Sequence, residues 1–316
     1  MQAFSWLFFA AAGFSLFAGT DGAVRCPPGT VPFGFGEKKT ATITCEAVAD
    51  ASREAMAFLR SNMPSFDAPN EASLFNGGIA VPTVNLSLSA KAAYPWAGDV
   101  SKDLFMDYVL PYAHVNEART DWRAFLASKL APLVHNSTFT ASTKMEAALI
   151  LNNRMWETLG GIVFKSEQTP LIYDPMSTIV FGYASCTGVS ILFADALRAV
   201  GIPSRIVGTP AWNGNISNGN HNWVEVYLGP GAAGSQGDSG WYFIEARPAG
   251  GGETYANPCD KWFCNKAKFA AGKTSVFAPR FSKNSKTHYP MAWDLSNKEI
   301  PGTDRSSYYA SVCSKC

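Results

Sequence analysis

The chain has 316 residues, 47% hydrophobic and only 16% charged, enough apolar material for a large core in one or two domains. A formal net charge of +1 leaves no basic surplus for neutralising phosphates, so no nucleic-acid partner is expected. No apolar run of about 20 residues follows the N-terminal segment, so no internal membrane span is expected.

Residues 1–22 read as a secretory signal peptide. The run MQAFSWLFFAAAGFSLFAG carries the apolar region, and small residues near Ala18 to Ala23 offer cleavage sites. The leading residues include no Lys or Arg, and a retained anchor is the alternative reading. Once the segment is cleaved, a secreted or lumenal protein with no membrane partner is expected. Residues 23–100 read as a disulfide-tied arm and an irregular connection. The arm is Pro/Gly-rich, then Thr-rich like a strand, with Cys26 and Cys45 at its ends. An Ala-rich helix is expected over 46–63, stopping before Pro64. Residues 64–98 hold many Pro, Gly, Asn and Ser and read as an irregular stretch over a surface or cleft.

Residues 101–160 recover helical spacing and read as a helical subdomain. Leu104 and Tyr108 share one side of a first helix, which Pro111 breaks. Asp121 opens a second, with Trp122, Phe125, Leu126 and Leu130 in register. Ser142 or Thr143 caps a third, with Met145, Leu149 and Trp156 on its apolar side. Glu117 and Arg123 read as an inter-helix ion pair.

Residues 161–250 read as the catalytic core. Val189, Leu192, Phe193, Ala196, Leu197 and Val200 recur as one buried helix face, with Ser185 as N-cap, Gly201 past the end and Pro203 beyond. Cys186 then lies in the first turn, where backbone N–H groups and the helix dipole favour a thiolate. HNWVEVYL and WYFIEA read as two strands of an antiparallel hairpin. Closing it with Leu228 opposite Asp238 sets Glu225 against Trp241, Trp223 against Phe243 and His221 against Glu245, all on one face. A helix-start Cys, a strand His and a neighbouring carboxylate make a nucleophile, a base and an orienter. Glu225 shares the face but lies about 13 Å along the strand from His221, and reads as a structural polar contact. His114, His135 and His288 have no such setting and read as incidental.

In these residues the sequence resembles the transglutaminase-like superfamily. The order Cys, His, acid matches it, as do LRAVGIPSRIVGTPAW and HNWVEV, over about residues 145–250. A weaker similarity to its cysteine-protease members runs upstream through YVLPYAHVNEARTDWR. The resemblance implies an α+β, papain-like core in which a Cys-bearing helix packs on an antiparallel sheet. It implies Cys186 as nucleophile, His221 as general base and an acid that orients the imidazole. The superfamily usually has Asp in that third role, where this chain has Glu245 in IEARP. A tetrahedral intermediate also needs oxyanion donors: the Cys186 N–H is one candidate, and Gln168 or Trp156 is considered for a side-chain donor.

If Cys186 is the free nucleophile, the other six of seven cysteines form an even set suited to an oxidising compartment. Local pairs 26–45, 259–264 and 313–316 are one of fifteen connectivities, and the sequence leaves them open. Asn85, Asn136 and Asn215 each begin an N-x-Ser/Thr sequon, a surface glycosylation signal in a secreted protein. Residues 251–316 lack periodicity and read as a C-terminal wrap with disulfides. No metal or cofactor motif is present, and none is expected. The expected activity is acyl transfer from a protein or peptide amide to water or to an amine. The alternative from another class is a catalytically silent binding or structural module on the same fold.

Overall fold

A computed structural model describes residues 26–33, 45–232, 239–251, 258–269 and 272–316; the expected signal peptide and Asp238 lie outside them. Two short strands, β1 (Thr30–Pro32) and β2 (Cys45–Ala47), pair antiparallel beside the Cys26–Cys45 disulfide. Helices α1 (Val48–Asn62), α2 (Glu71–Phe75), α3 (Ala80–Ala93), α4 (Lys102–Tyr108), α5 (Trp122–Val134) and α6 (Lys144–Thr158) follow. Then come β3 (Val163–Phe164), α7 (Pro175–Phe181), β4 (Tyr183–Ala184), α8 (Cys186–Ala199), β5 (Ser204–Thr209), β6 (His221–Tyr227) and β7 (Trp241–Ile244). The chain closes with β8 (Phe277–Pro279), β9 (Thr287–His288), β10 (Pro301–Asp304) and α9 (Ser306–Cys313).

Residues 64–98 are largely helical, against the expected irregular connection: a 3-10 turn over Ser65–Asn70, then α2 and α3. Their polar composition hides the helix. Pro82 sits in the first turn of α3, where its missing N–H has no partner to lose. The Ser87 and Ser89 hydroxyls fold back onto the carbonyls of Thr83 and Asn85. In α6 the buried side is turned towards Ala147, Ala148, Leu151 and Met155, and Met145 and Leu149 are only half-buried. Thr143 caps that helix by accepting from the Glu146 N–H, while Glu146 accepts from the N–H of Ser142. Helices α5 and α6 share a core with α8, whereas α4 packs with α1 and α3, so the boundary at 100/101 does not fall between cores.

Among the described residues the main sheet has six antiparallel strands in the order β9-β10-β8-β5-β6-β7. The C-terminal segment thus supplies β8, β9 and β10 as well as a wrap; strands of two to four residues are too short to show a period. The hairpin register differs from the expected one by two residues. Tyr227 pairs with Trp241 and Glu225 with Phe243, and the Leu228 N–H donates to the Gly240 carbonyl. A shift of two keeps every side chain on its expected face.

Helix α8 is buried on all sides, Thr187 to Ala199 without interruption. Ile206, Val224, Val226 and Ile244 cover it from the sheet, and Leu126, Leu130, Leu151 and Met155 from α5 and α6. Its polar residues find partners inside. Asp195 Oδ1 lies 3.1 Å from His114 Nε2, so His114 belongs to the core and is not incidental. Arg198 donates to the Ser204 carbonyl. Arg123 donates to the carbonyls of Arg198 and Val109, and the expected Glu117–Arg123 pair does not form; Glu117 instead accepts from the N–H groups of His114 and Val115.

The far face of the sheet carries Val207, Trp223 and Phe243 under Phe263, Phe269 and Tyr309 of the C-terminal segment. Two disulfides, Cys259–Cys316 and Cys264–Cys313, fasten that layer, a nested pairing between two segments in place of two local loops. Buried Glu225 joins the layers: it accepts from Arg205 at 2.6 Å, Arg305 at 3.0 Å and the Tyr309 hydroxyl at 2.9 Å. Burial pushes its carboxyl up, but Arg205 and Arg305 more than offset this and hold it below its ordinary value. Its contribution is therefore present above the unfolded glutamate pKa and is lost as pH falls through the lowered folded value. Glu225→Gln, which leaves two arginines facing a neutral amide, is expected to lower unfolding free energy by about 3 kcal/mol or more at pH 7. Denaturant titrations at pH 7 and pH 3 check this, with the gap between the two proteins narrowing in acid.

Candidate active site

Three elements meet at one edge of the sheet. Cys186 is the first residue of α8, half-buried and the one free cysteine among the described residues. Ser185 stands at the N-cap in extended conformation but does not cap; its hydroxyl lies 2.6 Å from Thr169 Oγ1. The first-turn N–H groups therefore keep their positive field directed at the thiol. His221 opens β6 opposite Thr209, and Glu245 follows the last residue of β7.

The structure brings all three expected residues together. His221 Nε2 lies 3.3 Å from Glu245 Oε2, with both side chains buried. That leaves Nδ1 as the ring nitrogen for Cys186. Extending the observed register by one step sets Glu245 level with Trp223, so it reaches His221 along a diagonal. The longer reach matters here: an Asp would be one methylene short of the ring. Asn152 of α6 grips the backbone on both sides, donating to the Glu245 carbonyl at 2.8 Å and accepting from the Arg247 N–H at 2.9 Å. Gly251 closes against the same spot, where a Cβ would stand 1.9 Å from the Glu245 carbonyl oxygen.

Three side chains at the site have no role in the sequence reading. Asn222 donates to Thr187 Oγ1 at 2.9 Å and accepts from the Tyr289 hydroxyl, tying β6 to the first turn of α8. Gly208, opposite Asn222, leaves the room: a Cβ there would stand 2.1 Å from Asn222 Oδ1. The His221 ring lies 4.9 Å from Phe263 and 5.2 Å from Trp262, centroid to centroid. Asn222 adjoins His221 in HNW and was legible as a neighbour; Asn152 and the CDKWFC aromatics carry no signal that links them to His221. The two side chains considered for the oxyanion are elsewhere. Trp156 donates to the Asn152 carbonyl inside the core, and Gln168 donates to Ser166 outside the cleft lining.

Electrostatics follow from this packing. Burial pushes the Cys186 thiol up, but the hydrogen bond and charge of His221 and a backbone hydrogen bond from Asn222 outweigh it, and the thiol lies below its ordinary value. Burial pushes His221 down, but Glu245 and Cys186 raise it further, to about 10. Burial raises Glu245 above the ordinary carboxyl range, with His221 opposing. Both shifts favour the thiolate–imidazolium form of the pair over the neutral form. Both groups open onto a cleft of about 610 Å3, walled by Phe164, Trp262 and Trp293 and floored by Ser185, Cys186 and Thr187. Among the described residues, no three His, Cys, Asp or Glu side chains converge as a metal site requires.

The family model of the transglutaminase-like superfamily matches residues 133–246, a stretch that spans Cys186, His221 and Glu245. That stretch is similar to the transglutaminase-like superfamily, and the protein has an α+β fold. A solved structure from Cytophaga hutchinsonii, described as a "Putative Cysteine Protease", is 17% identical with a TM-score of 0.29, and the match covers 60% of each chain. The chain therefore spans less than two thirds of that protein's length. No curated protein matches.

The thiol's lowered and the imidazole's raised value give a pH window with a definite sign. Alkylation of Cys186 by iodoacetamide is expected to extend to lower pH than an ordinary thiol allows, and to lose that acid shoulder in His221→Ala. Mass spectrometry of the modified peptide across pH 4 to 9 measures both profiles, with pH values spaced by about one unit.

Proposed function

We propose that the protein is a secreted thiol acyl-transfer enzyme acting on amides of proteins or peptides. The observation that carries this reading is a thiol at a helix N-terminus, lowered by an imidazole that a buried carboxylate holds, at the floor of an open cleft. In this mechanism Cys186 attacks the amide carbonyl, and the first-turn N–H groups of α8 stabilise the oxyanion. His221 gives its proton to the departing amine through Nδ1, leaving an acyl-thioester. Water or an amine, deprotonated by His221, then attacks the thioester and frees Cys186. Glu245 holds the ring and favours its charged form. Three disulfides among the described residues are compatible with an oxidising compartment, and no described helix is long and apolar enough to cross a membrane. Asn85, Asn136 and Asn215 are all exposed, which suits glycosylation.

Incubation with a peptide library, with and without a primary amine, tests the reading: new termini report hydrolysis and amine adducts report transfer. Cys186→Ala is expected to abolish both while unfolding like the wild type; retained turnover in that variant sinks the proposal. The orienter gives a sharper comparison. Glu245→Gln is expected to lower kcat by ~10² to 10⁴. Glu245→Asp is expected to lose much of the rate too, because the diagonal to His221 needs the longer side chain. Equal rates for Gln and Glu would remove Glu245 from the mechanism, whereas equal rates for Asp and Glu would refute the need for the longer side chain.

A further inference from the structure

The cleft has an aromatic wall whose solvent-facing surface the acyl-transfer chemistry does not use. Trp262 is 57% exposed and Phe164 43% exposed, and both line the cleft that holds Cys186. Solitary exposed aromatics need no explanation, but two facing one cleft beside a nucleophile are a recognition surface.

Trp262 is also held in place. It sits between Cys259 and Cys264, each fastened to the C-terminal helix region by its own disulfide. Its ring meets Trp212 edge-on at 5.9 Å, Phe263 edge-on at 5.7 Å and His221 at 5.2 Å. The Lys268 ammonium lies 5.7 Å from its ring centroid, and 57% of the residue is still exposed. An indole fixed by these neighbours is ordered before any ligand arrives, so little further ordering opposes binding. Phe164 comes from another part of the chain, the strand β3, whose partner β4 leads directly into Cys186. The same stretch leaves Leu171, Val180 and Phe181 exposed, outside the cleft lining.

We infer that Trp262 and Phe164 form a specificity subsite that takes a large apolar or aromatic side chain of a polypeptide, next to the amide that Cys186 attacks. The inference rests on the acyl-transfer reading for where the amide lies, and it adds the substrate class. A half-open apolar subsite of this kind discriminates by about tenfold or more between a benzyl and a methyl side chain.

The test uses the full chain and two chloromethyl ketones, of N-acetyl-phenylalanine and N-acetyl-alanine. In each, the Cys186 sulfur displaces chloride and forms a thioether, so no native substrate is needed. Rates are divided by the iodoacetamide rate of the same protein, which removes any change in thiol reactivity. The wild type is expected to favour the phenylalanine reagent by about tenfold or more, and Trp262→Ala and Phe164→Ala each to cut that ratio several-fold. A wild-type ratio near one, or a ratio unmoved by both variants, overturns the subsite. Saturation-transfer NMR on Cys186→Ala, with N-acetyl-phenylalaninamide against N-acetyl-alaninamide, reads the subsite without any covalent step. Preference for the phenylalanine amide there supports the subsite even if the thiol proves unreactive, and equal signals overturn it.

Discussion

A helix that is buried on every side has to be walled in by something on every side, and α8 sets that requirement for the whole chain. One sheet face covers one flank; α5 and α6 cover another. The burial also removes water from Asp195 and Arg198, which an ordinary amphipathic helix would leave wet. Desolvation raises the Asp195 carboxyl, and it lowers Arg198 and its neighbour Arg123 despite the mutual attraction. The loop residue His114 and the carbonyls at the end of α4 are recruited as partners, so the upstream segment is bound to the core by polar contacts as well as by packing. The one end of α8 that escapes the enclosure is its N-terminus, and Cys186 is there.

The position of Cys186 explains why the site is built from distant parts of the sequence. The thiol is fixed by its helix, so base and acid must come to it. The sheet supplies both from adjacent strands, and Asn152 on α6 holds the backbone of the acid from a third direction. The C-terminal layer then lays Trp262 and Phe263 against the imidazole. A ring clamped between aromatics and a carboxylate has few orientations left, which is what a proton carrier working between a thiol and an amine needs. Glu225, on the same face, is committed elsewhere: two arginines and a tyrosine hydroxyl absorb it, and its work is to join the sheet to the C-terminal layer.

The sequence made α8, β6 and β7 legible because each has a strong period and clear punctuation, and Cys186, His221 and Glu245 sit at their ends. Face could be read and register could not: alternation fixes which side a residue takes, whereas the connection between β6 and β7 fixes what lies opposite it. The two-residue difference left Glu245 on the His221 face and changed its approach from direct to diagonal. The helix α3 was hidden by serines that satisfy themselves on their own turn, a bond that composition cannot reveal. Strands β8 to β10 are too short to carry a pattern, and they exist because β5 has an open edge to receive them. Nor does the spacing of Cys259, Cys264, Cys313 and Cys316 distinguish nested from local bridges; that choice follows from α9 lying against the 258–269 segment.

The nested bridges also impose an order in time. Trp262 and Phe263 emerge from the ribosome some fifty residues before the cysteines that fasten them, Cys313 and Cys316. Until those cysteines have followed and an oxidant has joined all four, the wall beside His221 is held by ring packing without a covalent anchor. The nascent chain can therefore complete its helix, its thiol and its hairpin while the imidazole still lacks its aromatic flank. Completion of the aromatic flank beside His221 is thus coupled to the joining of Cys313 and Cys316 to their partners.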